Sequence, residues 1–167
     1  MINLIVTALA IAILPLAVVL IKSPGALLFL MLMAGEVIEK QFGETTRNVV
    51  GSLTPASKLP VNEITSVAVF LLPAFLAMFL LRKTTSSKSF VFQILAAVAA
   101  GVVLVHEVDR LGSRSMQRFL EKSTIWQPIH TYYWVALLAG LILTFIAFWL
   151  NRNHDEGHKR FGKKHKG

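Results

Sequence analysis

An all-α, polytopic transmembrane helical bundle is the fold class this sequence predicts, on three observations. Hydrophobic residues make up 54% of the 167-residue chain and charged residues 16%, with a mean hydropathy of +0.62. A single soluble domain of this size is less apolar, so lipid has to cover much of the surface. Five apolar segments punctuate the chain. Nearly all the Lys and Arg residues that lie outside amphipathic stretches fall on alternate connections between those segments, as the positive-inside rule favours for a chain that crosses repeatedly.

The first segment, Ile2 to Ile21, is about the twenty residues needed to span a bilayer. It has no positive region ahead of it, and Ile21-Lys22-Ser23-Pro24-Gly25 reads as a turn and not as a cleavage site, so a retained helix is expected. Ile64 to Leu81, Ser89 to Val105 and Tyr132 to Leu150 are the other three spans of sufficient length. Pro15 and Pro73 fall inside two of the four. Membrane helices tolerate such prolines where neighbours satisfy the freed carbonyls.

The remaining segment is short. Ala26 to Ala34 is uninterrupted apolar sequence, followed by Gly35-Glu36, Val37-Ile38 and the charged pair Glu39-Lys40. At about 1.5 Å per residue its apolar core reaches roughly 20 Å, so it crosses with local thinning, re-enters, or lies at the interface. Charge favours crossing. Five spans put Lys22, then Arg82, Lys83 and Lys88, then the basic tail on one, inner side, with the uncharged N-terminus outside. Four spans place Lys22 outside.

The chain then divides into a helical domain over 1–150, with outer connections at about 36–62 and 106–131, and a basic tail over 151–167 that reads as disordered and cytoplasmic. Val37, Ile38, Phe42, Val49, Val50 and Leu53 recur at helical spacing, so segment two is expected to extend outward as an amphipathic helix ended by Thr54-Pro55. Val105, Val108, Leu111, Met116, Phe119 and Leu120 repeat the pattern after the fourth segment. The two extensions are expected to pack together outside as a cap. Pro60 and Pro128 stand where new helices begin. Trp126, Tyr132, Tyr133 and Trp134 at one end of the last span, and Trp149 at the other, mark two membrane interfaces.

Candidate functional residues are few. Glu36 and Gln93 are polar groups within apolar segments, where an ionisable residue is costly unless paired, hydrated or protonated. Glu36 at the outer interface, and Gln93 bonded to a neighbouring helix, are the structural readings; a proton or cation site is the functional one. Ala96, Ala97, Ala100 and Gly101 on one helix, and Ala136, Gly140 and Thr144 on another, predict close helix packing, inside one bundle ahead of an oligomer interface. His106, Glu107, Asp109 and Arg110 form the densest polar cluster, with His106 and Asp109 on one face. Zinc needs three or four ligands and only His130 or Glu36 could complete a set, so a solvated, ion-paired helix end is preferred to a metal or acid/base site. No metal or cofactor is predicted.

The partners expected are the bilayer itself, a second copy or another membrane protein, and anionic lipid headgroups at Lys159, Arg160, Lys163, Lys164 and Lys166. Nucleic acid is not expected, because six basic residues lie in the last sixteen positions with one aromatic, Phe161, for base stacking. The chain has no cysteine, which excludes disulfide, thiol-nucleophile and thiolate-metal chemistry. A non-enzymatic scaffold or accessory subunit is the leading function. An oligomeric channel or small transporter using Glu36 and Gln93, or a membrane enzyme with an outer site around His106, are the alternatives. Asp109-Arg110-Leu111-Gly112 resembles an Asp-Arg element of the colicin V production family of small multi-span bacterial proteins. That likeness covers four residues; the family's element lies close before its last span, whereas about twenty residues intervene here. A bacterial inner membrane is the expected location.

Overall fold

The computed structural model describes residues 2–21, 23–53, 60–80, 89–112, 117–118, 121–122 and 126–162, with backbone alone for 2–4 and 152–162. All regular structure among these residues is helical. The helices are α1 (Ile2–Ile21), α2 (Gly25–Leu53), α3 (Val61–Leu80), α4 (Phe90–Leu111), α5 (Trp126–Thr131) and α6 (Tyr133–Gly162). Prolines open three of them. Pro24 accepts from the Leu27 and Leu28 amides at 3.1 Å, Pro60 from Ile64 at 3.1 Å, and Pro128 from Tyr132 at 2.9 Å, which joins α5 to α6. In each case the missing proline N–H is one the first turn leaves unused anyway.

Helix directions follow from cross-contacts. Gly35 of α2 meets the Phe70 carbonyl, and Arg47 reaches Ser66, so α3 runs antiparallel to α2. The Ala26 amide donates to Gln93 Oε1 at 2.8 Å, while Glu39 lies 3.1 Å from Arg110, so α4 runs parallel to α2. Thr144 beside Ala26 and Tyr133 beside Glu36 turn α6 back again. The link from Ile21 to Gly25 is too short for anything but an antiparallel return of α1. The five long helices thus alternate in direction. Half of the apolar window of α4 is buried, against 28% for α3 and 22% for α6, so α4 is the central helix.

Small residues permit that centrality. Ala96, Ala97, Ala100 and Gly101 are all buried, and Gly101 sits so close to the Ile11 carbonyl of α1 that an added Cβ would lie 2.3 Å from it. Gly140 faces the Phe29 ring, Thr144 is buried beside Ala26, and Ala136 is half-buried one turn before Gly140. Backbones that approach this closely gain dispersion contacts and bury no lipid-soluble bulk.

Three helices, Val61–Leu80, Phe90–Leu111 and Tyr133–Asn151, are long and apolar enough to cross a membrane. The described side chains of α1 cover a shorter apolar stretch, Ile5–Ile21. Beyond Asn151 the α6 backbone stays helical to Gly162, within the segment the sequence reads as a disordered tail.

Two expectations for the outer connections need correction. The extension of α2 is helical through Gly43 and Gly51, but its apolar residues do not form the packing face. Val37, Phe42, Val49 and Leu53 are 66%, 57%, 55% and 76% exposed, whereas Gly35, Glu39 and Gly43 are buried. The buried stripe of Leu28, Leu32, Gly35, Glu39 and Gly43 keeps its period straight through the charged half of the helix, because close approach to α3 and α4 selects small or ion-paired residues there. The extension of α4 stops early: Gly112 has extended backbone (φ −77°, ψ 171°), and Val105 and Leu111 pack into the bundle and not into a separate cap. Met116, Phe119 and Leu120 lie outside the described residues.

Candidate functional site

At the end of the bundle where α3 and α6 begin and α4 ends, six charged side chains pair with one another. Glu39 is 4% exposed and accepts from two arginines: Arg47 at 2.9 Å, one further turn-pair along its own helix, and Arg110 of α4 at 3.1 Å. Arg110 also grips Glu107, which is 2% exposed, through Nε at 2.8 Å and Nη2 at 2.6 Å. Arg47 donates in addition to the Ser66 hydroxyl of α3. A planar guanidinium can bridge two carboxylates in this way, which an ammonium cannot. Glu36 pairs with Lys40 one turn along and accepts from the Tyr133 hydroxyl at 3.3 Å. Three carboxylates therefore meet three cations, and the network is neutral.

The four residues read as one cluster on α4 are split by the helix. Glu107 and Arg110 face α2. His106 faces α6, its ring stacked on Tyr133 with centroids 3.9 Å apart and on Trp126 at 6.3 Å, with His130 tilted at 5.6 Å. Asp109 Oδ1 is buried without a hydrogen-bond partner among the described residues, as is His106 Nδ1. Beside this aromatic stack opens a cleft of about 530 Å³ lined by Glu121, Trp126, Gln127, His130 and Thr131. Among the described residues no three His, Asp or Glu side chains converge as a metal site would need.

Gln93 is far from all of this. Its carbonyl oxygen is used by the Ala26 amide, which Gly25 lets approach closely, and it is 3% exposed. Glu36 stands ten residues further along α2, about 15 Å at the helical rise. The backbones of Lys159 and Arg160 continue α6, while Lys163, Lys164 and Lys166, and the side chains of all five, lie outside the described residues.

Sequence reasoning passed over Glu39, Arg47, Ser66 and Tyr133 as site residues. A signal existed in α2, where Gly35, Glu39, Gly43 and Arg47 recur every four residues and so share one face. No family model, curated protein or solved structure matches the chain. The four-residue likeness at Asp109 to Gly112 accordingly assigns no family.

Proposed function

We propose that this protein is a five-span integral membrane scaffold or accessory subunit, seated in a bacterial inner membrane with its C-terminus cytoplasmic. The observation that carries the reading is the polarity of α2. Its Gly35, Glu39 and Gly43 turn inward onto α3 and α4 and its Val37, Ile38 and Phe42 turn outward, while Lys40 and Glu44 stay exposed in the half of the helix nearer its C-terminal end. Lipid makes that arrangement favourable, since apolar side chains cost nothing there while exposed charges cost about 2.5–3.5 kcal/mol each at mid-bilayer. Running alongside α3 from Gly25 to about Glu44, α2 matches a spanning helix in length. The alternating helix directions put the ends of α1, α3 and α6 at one end of the bundle, and the basic residues that follow each of them in sequence make that end the inner one by the positive-inside rule.

Past the start of α3 the outward ridge continues through Val49 and Leu53. A second membrane protein or a second copy is the partner this ridge suits, because among the described residues no helix covers it. The basic tail adds contact with anionic headgroups, worth about 1 kcal/mol per residue near the surface. A conducting path is disfavoured by the same geometry: Glu36 is tied to Lys40 and Tyr133, Gln93 to Ala26, and the two stand at different depths.

Two measurements test the role. Purified protein in liposomes should give no proton or cation flux above empty vesicles; a flux that Glu36→Gln abolishes would establish the transporter instead. A photo-crosslinking residue at Val49 or Leu53 should capture a second copy or one reproducible membrane protein in native membranes, whereas a monomer with no crosslink from either position contradicts the scaffold.

A further inference from the structure

Helix α6 continues past its apolar part. The stretch long and apolar enough to cross a membrane closes at Asn151, and the backbone stays helical to Gly162. This polar extension contains His154-Asp155-Glu156-Gly157-His158. At about 3.6 residues per turn, His154 and His158 stand one turn apart on one face, and Asp155, three residues before His158, adjoins it. Helical residues so spaced have Cβ atoms about 5–6 Å apart, which allows two imidazole nitrogens to share one ion at about 2.0–2.1 Å. It is the spacing that helical zinc sites use. Charge follows the same pattern. Asp155 and Glu156 lie between the histidines, while Arg152, Lys159 and Arg160 lie outside them, so this turn is locally acidic within a basic segment and favours a cation.

The turn is also one that a bridging ion would strengthen. Gly157 is unfavourable in a helix interior because glycine loses more backbone freedom on folding than any other residue, and short helical stretches are marginal in water. An ion held by His154 and His158 spans that glycine and closes the turn around it. We infer that the α6 extension is a site for a divalent transition-metal ion, with His154 and His158 as ligands, Asp155 as the adjoining carboxylate and water in the remaining positions. Two imidazoles and a carboxylate suit a borderline ion such as zinc, whereas magnesium and calcium take oxygen ligands. The inference rests on the bounds of α6 and the histidine spacing, and does not depend on the scaffold role.

The remaining histidines supply the controls. His106 and His130, with ring centroids 5.6 Å apart, are the competing pair in the bundle, and His165 follows the helix in sequence. Tag-free, full-length protein in detergent is titrated calorimetrically with zinc chloride, with magnesium chloride as the control. Zinc should bind saturably and magnesium should not. His154→Ala with His158→Ala should weaken zinc binding by about tenfold or more, since even the groups that only orient metal ligands contribute that much; His130→Ala and His165→Ala should leave it unchanged. Gly157→Pro keeps every ligand but breaks the helix between them, so it should lose binding as the double variant does. Gly157→Ala favours the helix and should tighten binding by about threefold or more. Because metal binding is coupled to folding, amide hydrogen exchange over residues 151–162 should slow with zinc in the parent and not in the double histidine variant. Melting of each variant without zinc checks that the bundle is intact. No saturable zinc binding, undiminished binding in the double histidine variant, binding by Gly157→Pro as tight as the parent's, or a loss confined to His130→Ala overturns the assignment.

Discussion

At the scale of single residues, Arg110 carries the first prediction. It is the one cation shared by Glu39 and Glu107, which are 4% and 2% exposed. Arg110→Ala strands Glu107 and leaves Glu39 to Arg47 alone; because Arg110 is 38% exposed and water screens the pair, the cost is about 1–3 kcal/mol, below that of a fully buried pair. Thermal unfolding in detergent should show that loss, and Arg110→Lys should recover only part of it, because an ammonium cannot make the forked contact. Full recovery by lysine would mean that charge alone matters. Gly35 makes a second, steric prediction. A Cβ there would lie 2.0 Å from the Phe70 carbonyl oxygen, while at Gly51 it would meet nothing within 4 Å. Gly35→Ala should therefore destabilise by about 1–3 kcal/mol through overpacking. Gly51→Ala should be neutral or stabilise by up to about 1 kcal/mol, by removing backbone freedom from a helical site. The same melting experiment on both variants checks the pair.

At the scale of elements, α2 shows what a sequence does and does not display. The apolar segments were legible as helices because hydropathy is local: α1 has the expected bounds, and α3, α4 and α6 begin within a few residues of where the segments do. The amphipathic extension of α2 was legible as a helix too. Its packing face was not, because glycines that let helices approach and a carboxylate whose cations stand far off in sequence look, by local hydropathy, like a solvated stretch. Nor was the Glu39–Arg110 pair, since partners 71 positions apart leave no periodic trace in either helix. The reversed face has a measurable consequence. Val37→Trp should be quenched by lipids brominated on the acyl chains and little affected by aqueous iodide; the opposite ranking would put that face in water. Val37→Arg should impair insertion or stability by about 2.5–3.5 kcal/mol if it sits near mid-bilayer, and less toward the interface.

For the whole molecule, the alternating helices and the neutral network belong to one arrangement. Five helices that reverse in turn bring the charged half of α2 beside the end of α4 and the start of α3, where ion pairs let α2 bury Glu39 and most of Glu36. The small residues of α4 and α6 bring the backbones close enough for those pairs to form. Whether α2 crosses decides this account, and the absence of native cysteine makes the crossing directly measurable. Single cysteines at Lys22, Asn48, Ser86 and Ser115 can be labelled in sealed, right-side-out vesicles with a membrane-impermeant maleimide. Five crossings predict that Asn48→Cys and Ser115→Cys react from outside, while Lys22→Cys and Ser86→Cys react only after the vesicles are opened. Labelling of Lys22→Cys and Asn48→Cys from the same side would contradict it, because α2 would then not cross.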